Sequence, residues 1–125
     1  MLELYQKLLQ NENIIKSKYD ENALIYKKDV GLRFEFKGYY CYIDILYNWQ
    51  CVAIAYNNTI YIKKNLDNKV KEIIKELFKD FKIKEVKERT LLKLEIELYN
   101  EYEYYQELRE KEEEVEENIL EIEIN

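Results

Sequence analysis

Glu103, Glu107, Glu110, Glu114 and Glu117 follow one another at spacings of four, three, four and three. On an α-helix those spacings line the five carboxylates along one face, each step rising about 4.5–6 Å. That rise is comparable with the step between successive phosphates on a nucleic-acid strand. Such a stripe suits occupation of a groove lined by Lys and Arg, acting by steering and occlusion rather than by making bonds. The same stripe also reads as a solvated face that keeps a helix soluble.

Bond-making chemistry finds few candidates. The chain has no His, which removes the imidazole base, the Ser-His and Cys-His pairs, and the usual zinc site. Its two glycines, Gly31 and Gly38, do not form a phosphate-binding loop. Cys41 falls on an apolar face and Cys51 in a turn, neither beside an activating base; the two point to opposite faces of the strands, so no disulfide is expected. No carboxylate pair stands out, and oxygen-ligand metal loops favour Asp, Asn and Gly turns over runs such as Glu112-Glu113-Glu114. The expectation is a non-enzyme with no catalytic residue, no cofactor and no metal site.

Charge and tyrosine are the two excesses. Residues 95–125 hold thirteen Glu against Arg109 and Lys111, a net of −11, whereas residues 1–94 carry a net of +5. An asymmetry of that size marks an acidic extension or an electrostatic interaction surface. Of thirteen tyrosines, Tyr40, Tyr42 and Tyr61 fall on the polar parity of their strands, with Trp49 in a loop beside them. Aromatic residues so placed serve a protein interface, stack on bases of single-stranded nucleic acid, or take the cover of the C-terminal helix.

The elements that position these residues follow from periodicity. Leu32, Phe34 and Phe36 alternate with Arg33, Glu35 and Lys37; Tyr39 to Tyr47, Val52 to Tyr56, and Ile60 with Ile62 continue the period of two. This predicts a four-stranded antiparallel meander. Its first turn is Lys37-Gly38, pairing Phe36 with Tyr39. A four-residue loop over 48–51 pairs Tyr47 with Val52. A three-residue loop over 57–59, pairing Tyr56 with Ile60 and Ile54 with Ile62, is preferred to an Asn57-Asn58 turn, which would set Val52 and Ile54 opposite Tyr61 and Lys63 and so divide the apolar set. Leu32, Phe34, Phe36, Ile43, Ile45, Ile54, Ile62, Ile73, Leu77 and Phe78 are the expected core.

A short amphipathic helix is expected over 2–11, and residues 14–29 read as an edge strand or an ordered loop, with a turn at Asp20-Glu21-Asn22. Asn65 or Asp67 caps a helix whose apolar stripe runs from Leu66 to Phe81. Residues 87–98 read equally as strand or helix; Glu, Leu and Lys favour a long acidic helix over 87–117. Residues 119–124 alternate again and predict a final strand, added to this sheet or to that of a second copy, so a homodimer stays open.

The fold class is therefore α+β: a four-stranded meander covered on one face by helices, with a long acidic C-terminal helix. Residues 1–125 are read as one domain, with a core at 1–86 and an acidic helical segment at 87–125. No apolar run approaches membrane-spanning length and the N-terminus lacks a signal-peptide pattern, so a cytoplasmic protein is expected. Abundant Lys, Asn, Ile and Tyr point to an AT-rich genome, bacterial or of a mobile element such as a phage. The functional expectation is an acidic protein-binding inhibitor that blocks the nucleic-acid groove of a basic defence nuclease by charge mimicry. A toxin-neutralising immunity protein is one alternative. The other is a nucleic-acid-binding module using the basic first part and the tyrosines, although net charge argues against direct nucleic-acid binding.

Overall fold

The computed structural model describes residues 2–19, 22–26, 30–46 and 50–124, with side chains described as far as residue 112. The chain is α+β. Its elements are α1 (Leu2–Leu9), β1 (Ile14–Lys16), β2 (Ala23–Tyr26), β3 (Leu32–Lys37), β4 (Tyr40–Ile45), β5 (Gln50–Tyr56), β6 (Thr59–Lys63), α2 (Asn68–Leu77), β7 (Lys82–Val86) and α3 (Glu88–Ile124). The strands form one seven-stranded sheet in sequence order. β1 to β6 are antiparallel neighbours, and β7 joins β6 in parallel after the α2 crossover. The expected four strands are β3 to β6. Residues 14–29 supply two more, and Lys82–Val86, which alternates charged and apolar residues, supplies the last.

The chain divides into two units, Met1–Glu95 and Ile96–Asn125. The helix over 87–117 is confirmed in type and runs further, to Ile124. The final strand over 119–124 is therefore corrected. An unbroken run of strong helix formers carries that segment along, despite its alternation. Among the described residues no helix is long and apolar enough to cross a membrane.

Register departs from strict alternation at one place. Ile43 pairs with Ala53 but Asp44 with Cys51, so Val52 is an extra residue, a β-bulge. Val52 and Ala53 both lie in the core beneath the helices, and every residue after them changes side. Ile54 then pairs with Tyr42 and Tyr61 on the opposite face. This corrects the placement of Ile54 and the loop over 48–51, of which Asn48 and Trp49 lie outside the described residues, as does Tyr47. It also corrects the last turn. Asn57 and Asn58 both have positive φ, 50° and 63°, as a two-residue type I′ turn requires. That turn divides the apolar residues between two faces, and both faces bury them. The first turn is Gly38-Tyr39 rather than Lys37-Gly38, with Gly38 at φ 59° in the leading position. The shift of two residues keeps Cys41, Ile43 and Ile45 on the expected face.

α1 and α2 cover one face. Leu4 and Leu8 of α1, Val70, Ile74 and Phe78 from the α2 segment, and Leu24, Leu32, Phe34, Ile43, Ile60 and Ile62 of the sheet share one buried cluster. Tyr5 meets Phe36 edge to face at 5.2 Å. Ile45, Ile73 and Leu77 are partly buried against the same cluster. Asp67 caps α2, its carboxylate accepting the Lys69 N–H at 2.9 Å. The helix ends at Leu77, earlier than its stripe suggested. Phe78 leaves helical geometry at ψ 34°, and Phe81 packs its ring on Phe78 at 5.3 Å rather than extending a turn. The opposite face is buried too: Tyr40, Ile54, Val86 and Leu91 are inaccessible yet outside the first cluster. Leu91 comes from the first turns of α3, which cover that face.

Phe78 is 1% exposed and touches the rings of Phe34 and Phe81. Phe78→Ala is expected to cost about 3–5 kcal/mol in urea unfolding. A loss below about 1 kcal/mol would mean that α2 does not depend on this contact.

Candidate interaction surfaces

The polar row of β3 is half-buried. Arg33 lies across from Asp44, and its guanidinium donates to both carboxylate oxygens, Nε to Oδ1 and Nη2 to Oδ2, each at 3.1 Å. The same Nη2 reaches Glu35 at 3.0 Å, and the other oxygen of Glu35 lies 3.6 Å from Lys37. Asp44 is 1% exposed, and burial pushes its pKa up against the opposing pull of Arg33. Forked geometry holds a carboxylate out of water where a point charge would hold it less well.

Beside this row Tyr42, Gln50, Cys51, Glu88, Leu91 and Glu95, with Leu92 at the rim, line a cavity of about 280 Å³. Cys51 sits across from Asp44 because of the bulge. The Tyr42 hydroxyl hydrogen-bonds the Glu95 carboxylate and reaches the Cys51 sulfur. Burial raises the pKa of Tyr42, Cys51 and Glu95, and the Glu95 charge adds to the first two. Cys41, wholly buried on the other face, is raised by burial as well. Neither thiol is a thiolate near neutrality, so neither is poised as a nucleophile. Both are free and lie on opposite faces, as expected. No group of His, Cys, Asp and Glu among the described residues is arranged to hold a metal ion.

A second cavity, about 500 Å³, lies by the β5–β6 turn, bounded by Glu3, Lys7, Tyr39, Asn58, Asp80 and Phe81 among others. The ammonium of Lys7 bridges to Asp80 at 2.7 Å on its wall. Its charged groups are mixed in sign, Glu3 and Asp80 beside Lys7.

The expected tyrosine surface comes apart. Tyr40 lies on the outer parity but is 2% exposed, its ring 5.6 Å from that of Tyr39. Tyr42 is half-buried and committed to Glu95. Tyr61 is half-buried with the Lys84 ammonium 6.0 Å from its ring centroid. Trp49 lies outside the described residues. Sequence reasoning missed Arg33, Asp44 and Glu95 as a buried polar set; a lone Asp in the apolar run of β4, opposite an Arg, was the signal available.

In the unit Ile96–Asn125, Glu103, Glu107 and Glu110 are exposed on one side of the helix. Glu114 and Glu117 lie outside the described side chains. Tyr105 and Leu108, 54% and 38% exposed, fall roughly opposite the stripe at 3.6 residues per turn.

No family model, curated protein or solved structure matches the sequence.

The raised carboxyls make stability depend on pH with a definite sign. A folded pKa above the unfolded one means the folded state holds more protons between the two values. Stability from neutral Glu95 is then fully present below the ordinary carboxylate pKa and is lost as pH rises through the raised one. Glu95→Gln keeps an acceptor for Tyr42, so its urea midpoint is expected to fall less steeply from about pH 4 upward. An unchanged slope would assign the effect to Asp44 alone. Arg33→Ala leaves Asp44 buried without its fork and is expected to cost about 1.5–3 kcal/mol. Equal stability of variant and parent in chemical denaturation would show that the pair contributes nothing net.

Proposed function

We propose that the chain is a binding protein that occupies a Lys/Arg-rich surface of another protein through the carboxylate stripe of α3. The observation that carries this reading is the exposed run of Glu103, Glu107 and Glu110 on a helix in a unit with only Arg109 and Lys111 as cations. The stripe continues in sequence to Glu114 and Glu117. Carboxylates at this rise can take the places of phosphates in a groove built for DNA or RNA. The concrete form is an inhibitor, encoded by a phage or mobile element and working in the cytoplasm, that occludes a defence nuclease. An immunity protein that neutralises a basic toxin would use the same surface. Occlusion needs no turnover, and both thiols are held protonated by burial.

Direct nucleic-acid binding is disfavoured by two observations. The net charge is −6, and phosphate contacts dominate such affinity. Tyr40 is buried and Tyr42 committed, which removes two of the aromatic groups that would stack on bases.

Reversing Glu103, Glu107 and Glu110 to Lys removes no core contact. The variant is expected to fold normally and to lose capture of a basic partner from host lysate. With that partner purified, wild-type association is expected to slow as salt rises, chiefly through the on-rate. A merely solubilising stripe predicts equal on-rates for both proteins at low and high salt, and that result would reject the proposal. Gel-shift binding to single-stranded DNA or RNA in the micromolar range would instead favour the nucleic-acid reading.

A further inference from the structure

We infer that the free edge of β7 is a docking site for an extended acidic segment of another protein, added to the sheet as an eighth strand. This site lies within the unit Met1–Glu95 and does not rest on the role proposed for α3. β7 ends the sheet, so one edge of its backbone has no strand partner among the described residues. An unpaired row of N–H and C=O groups is a template for another chain. The opposite edge is a poorer template, because β1 has three residues to the five of β7.

The side chains of β7 say which chain would fit. Its register with β6 places Lys82 and Lys84 on the same side of the sheet as Tyr61, and Ile83 and Glu85 on the side of Ile60 and Ile62. Residues 82–85 are all exposed, Ile83 at 46%. Lys71 holds the Glu85 carboxylate at 2.7 Å and keeps its pKa below the ordinary value, so that negative charge is already met. Lys82 makes no ion pair with any described residue, and Lys84 has only the ring of Tyr61 beneath it. The edge therefore offers two ammonium groups on one side of the strand with an aliphatic side chain between them on the other. An incoming strand of the pattern acid–aliphatic–acid sets carboxylates beside both lysines and its apolar residue beside Ile83. A slip of one residue reverses every contact.

A second copy of this strand does not fit. Two β7 strands paired antiparallel about a two-fold axis must keep side-chain parity across the join. Centring on Ile83 opposes Lys82 to Lys84, centring on Lys84 opposes it to itself, and centring on Glu85 opposes two carboxylates. Each register places like charges across the ladder, which is destabilising. The lysines thus block edge-to-edge self-pairing while leaving the edge open to an acidic strand.

The test uses the full chain and three dye-labelled peptides in fluorescence anisotropy. One alternates Glu with Ile or Val, one has the same composition with its glutamates in a block, and one is the alternating peptide N-methylated at every second residue. The alternating peptide is expected to bind, the other two weakly or not at all. Lys82→Glu with Lys84→Glu, both exposed, should weaken the alternating peptide by about tenfold or more. The same variant should gain affinity for a peptide alternating Lys with Ile or Val. Absence of binding would overturn the inference, as would equal binding of the blocked or N-methylated peptide. So would sedimentation showing a dimer of the wild-type chain that the double variant leaves unchanged while no peptide competes.

Discussion

The extra residue at Val52 determines which side chains each face of the sheet receives. Without it, strict alternation would put Val52, Ile54 and Tyr56 on the α1–α2 face and leave only Cys51, Ala53 and Ala55 of β5 for the other face. With it, Val52 and Ala53 together fill the space beneath the helices, and Ile54 crosses to the opposite side. Cys51 is brought beside Asp44 by the same step. Bulges concentrate where a strand must re-aim its side chains, and here the re-aiming converts a one-sided sheet into a two-sided one. A sheet with apolar residues on both faces needs cover on both. The first turns of α3 supply the second cover through Leu91.

That second layer is not simply apolar. It buries Tyr40, Ile54, Val86 and Leu91 around a ladder of charged and hydroxyl groups: Arg33, Glu35, Asp44, Tyr42 and Glu95. Each buried member has a partner, and no buried side-chain nitrogen or oxygen among the described residues lacks one. A satisfied polar network costs little beside an apolar core, whereas a half-satisfied one is expensive. Leu91 and Glu95 stand one turn apart on the same side of α3, so the setting that buries Leu91 also turns Glu95 toward Tyr42.

Much of this was legible from the residues. The alternation of β3, β4 and β6, the Asp67 cap, the apolar stripe of α2 and the helical character of residues 88–117 follow from period and propensity. The opposed placement of the two cysteines does too, whereas the alternation of 119–124 reads as a strand where the same helix continues. What escaped has a common cause. Ala53 and Ala55 read as gaps in the apolar pattern of β5, so Val-Ala-Ile-Ala looked like alternation when all four residues are buried. Assuming one apolar face then forced a three-residue loop where Asn57 and Asn58, both tolerant of positive φ, favour the tighter turn. β7 was hidden because Phe78 and Phe81 continue the helical spacing of α2, although they pack as ring on ring after the helix has ended. Of the surface residues, Glu103, Glu107 and Glu110 could be located by spacing alone, since exposure needs no register. The tyrosines could not, because parity says which face a residue takes but not whether another element covers it.

The distribution of charge adds a last constraint. In the unit Met1–Glu95 several carboxylates are met by nearby cations: Asp80 by Lys7, Glu85 by Lys71, Glu88 by Lys63, and Asp44 and Glu35 by Arg33. Residues 96–125 hold twelve Glu against Arg109 and Lys111, so no choice of rotamers pairs most of them within that segment. Like charges three and four apart each cost a helix a few tenths of a kcal/mol, about 0.2–0.5. The last turn of α3 contains no basic residue, although the negative end of the helix dipole favours one. Local energetics thus work against this density of carboxylates, and a milder mixture of Glu and Lys would keep the helix soluble at less cost. Solvent and salt screen these repulsions without pairing the charges. A surface dense in Lys and Arg pairs the charges and relieves the strain of the helix together, which is the physical ground for preferring a binding role over a solubilising one.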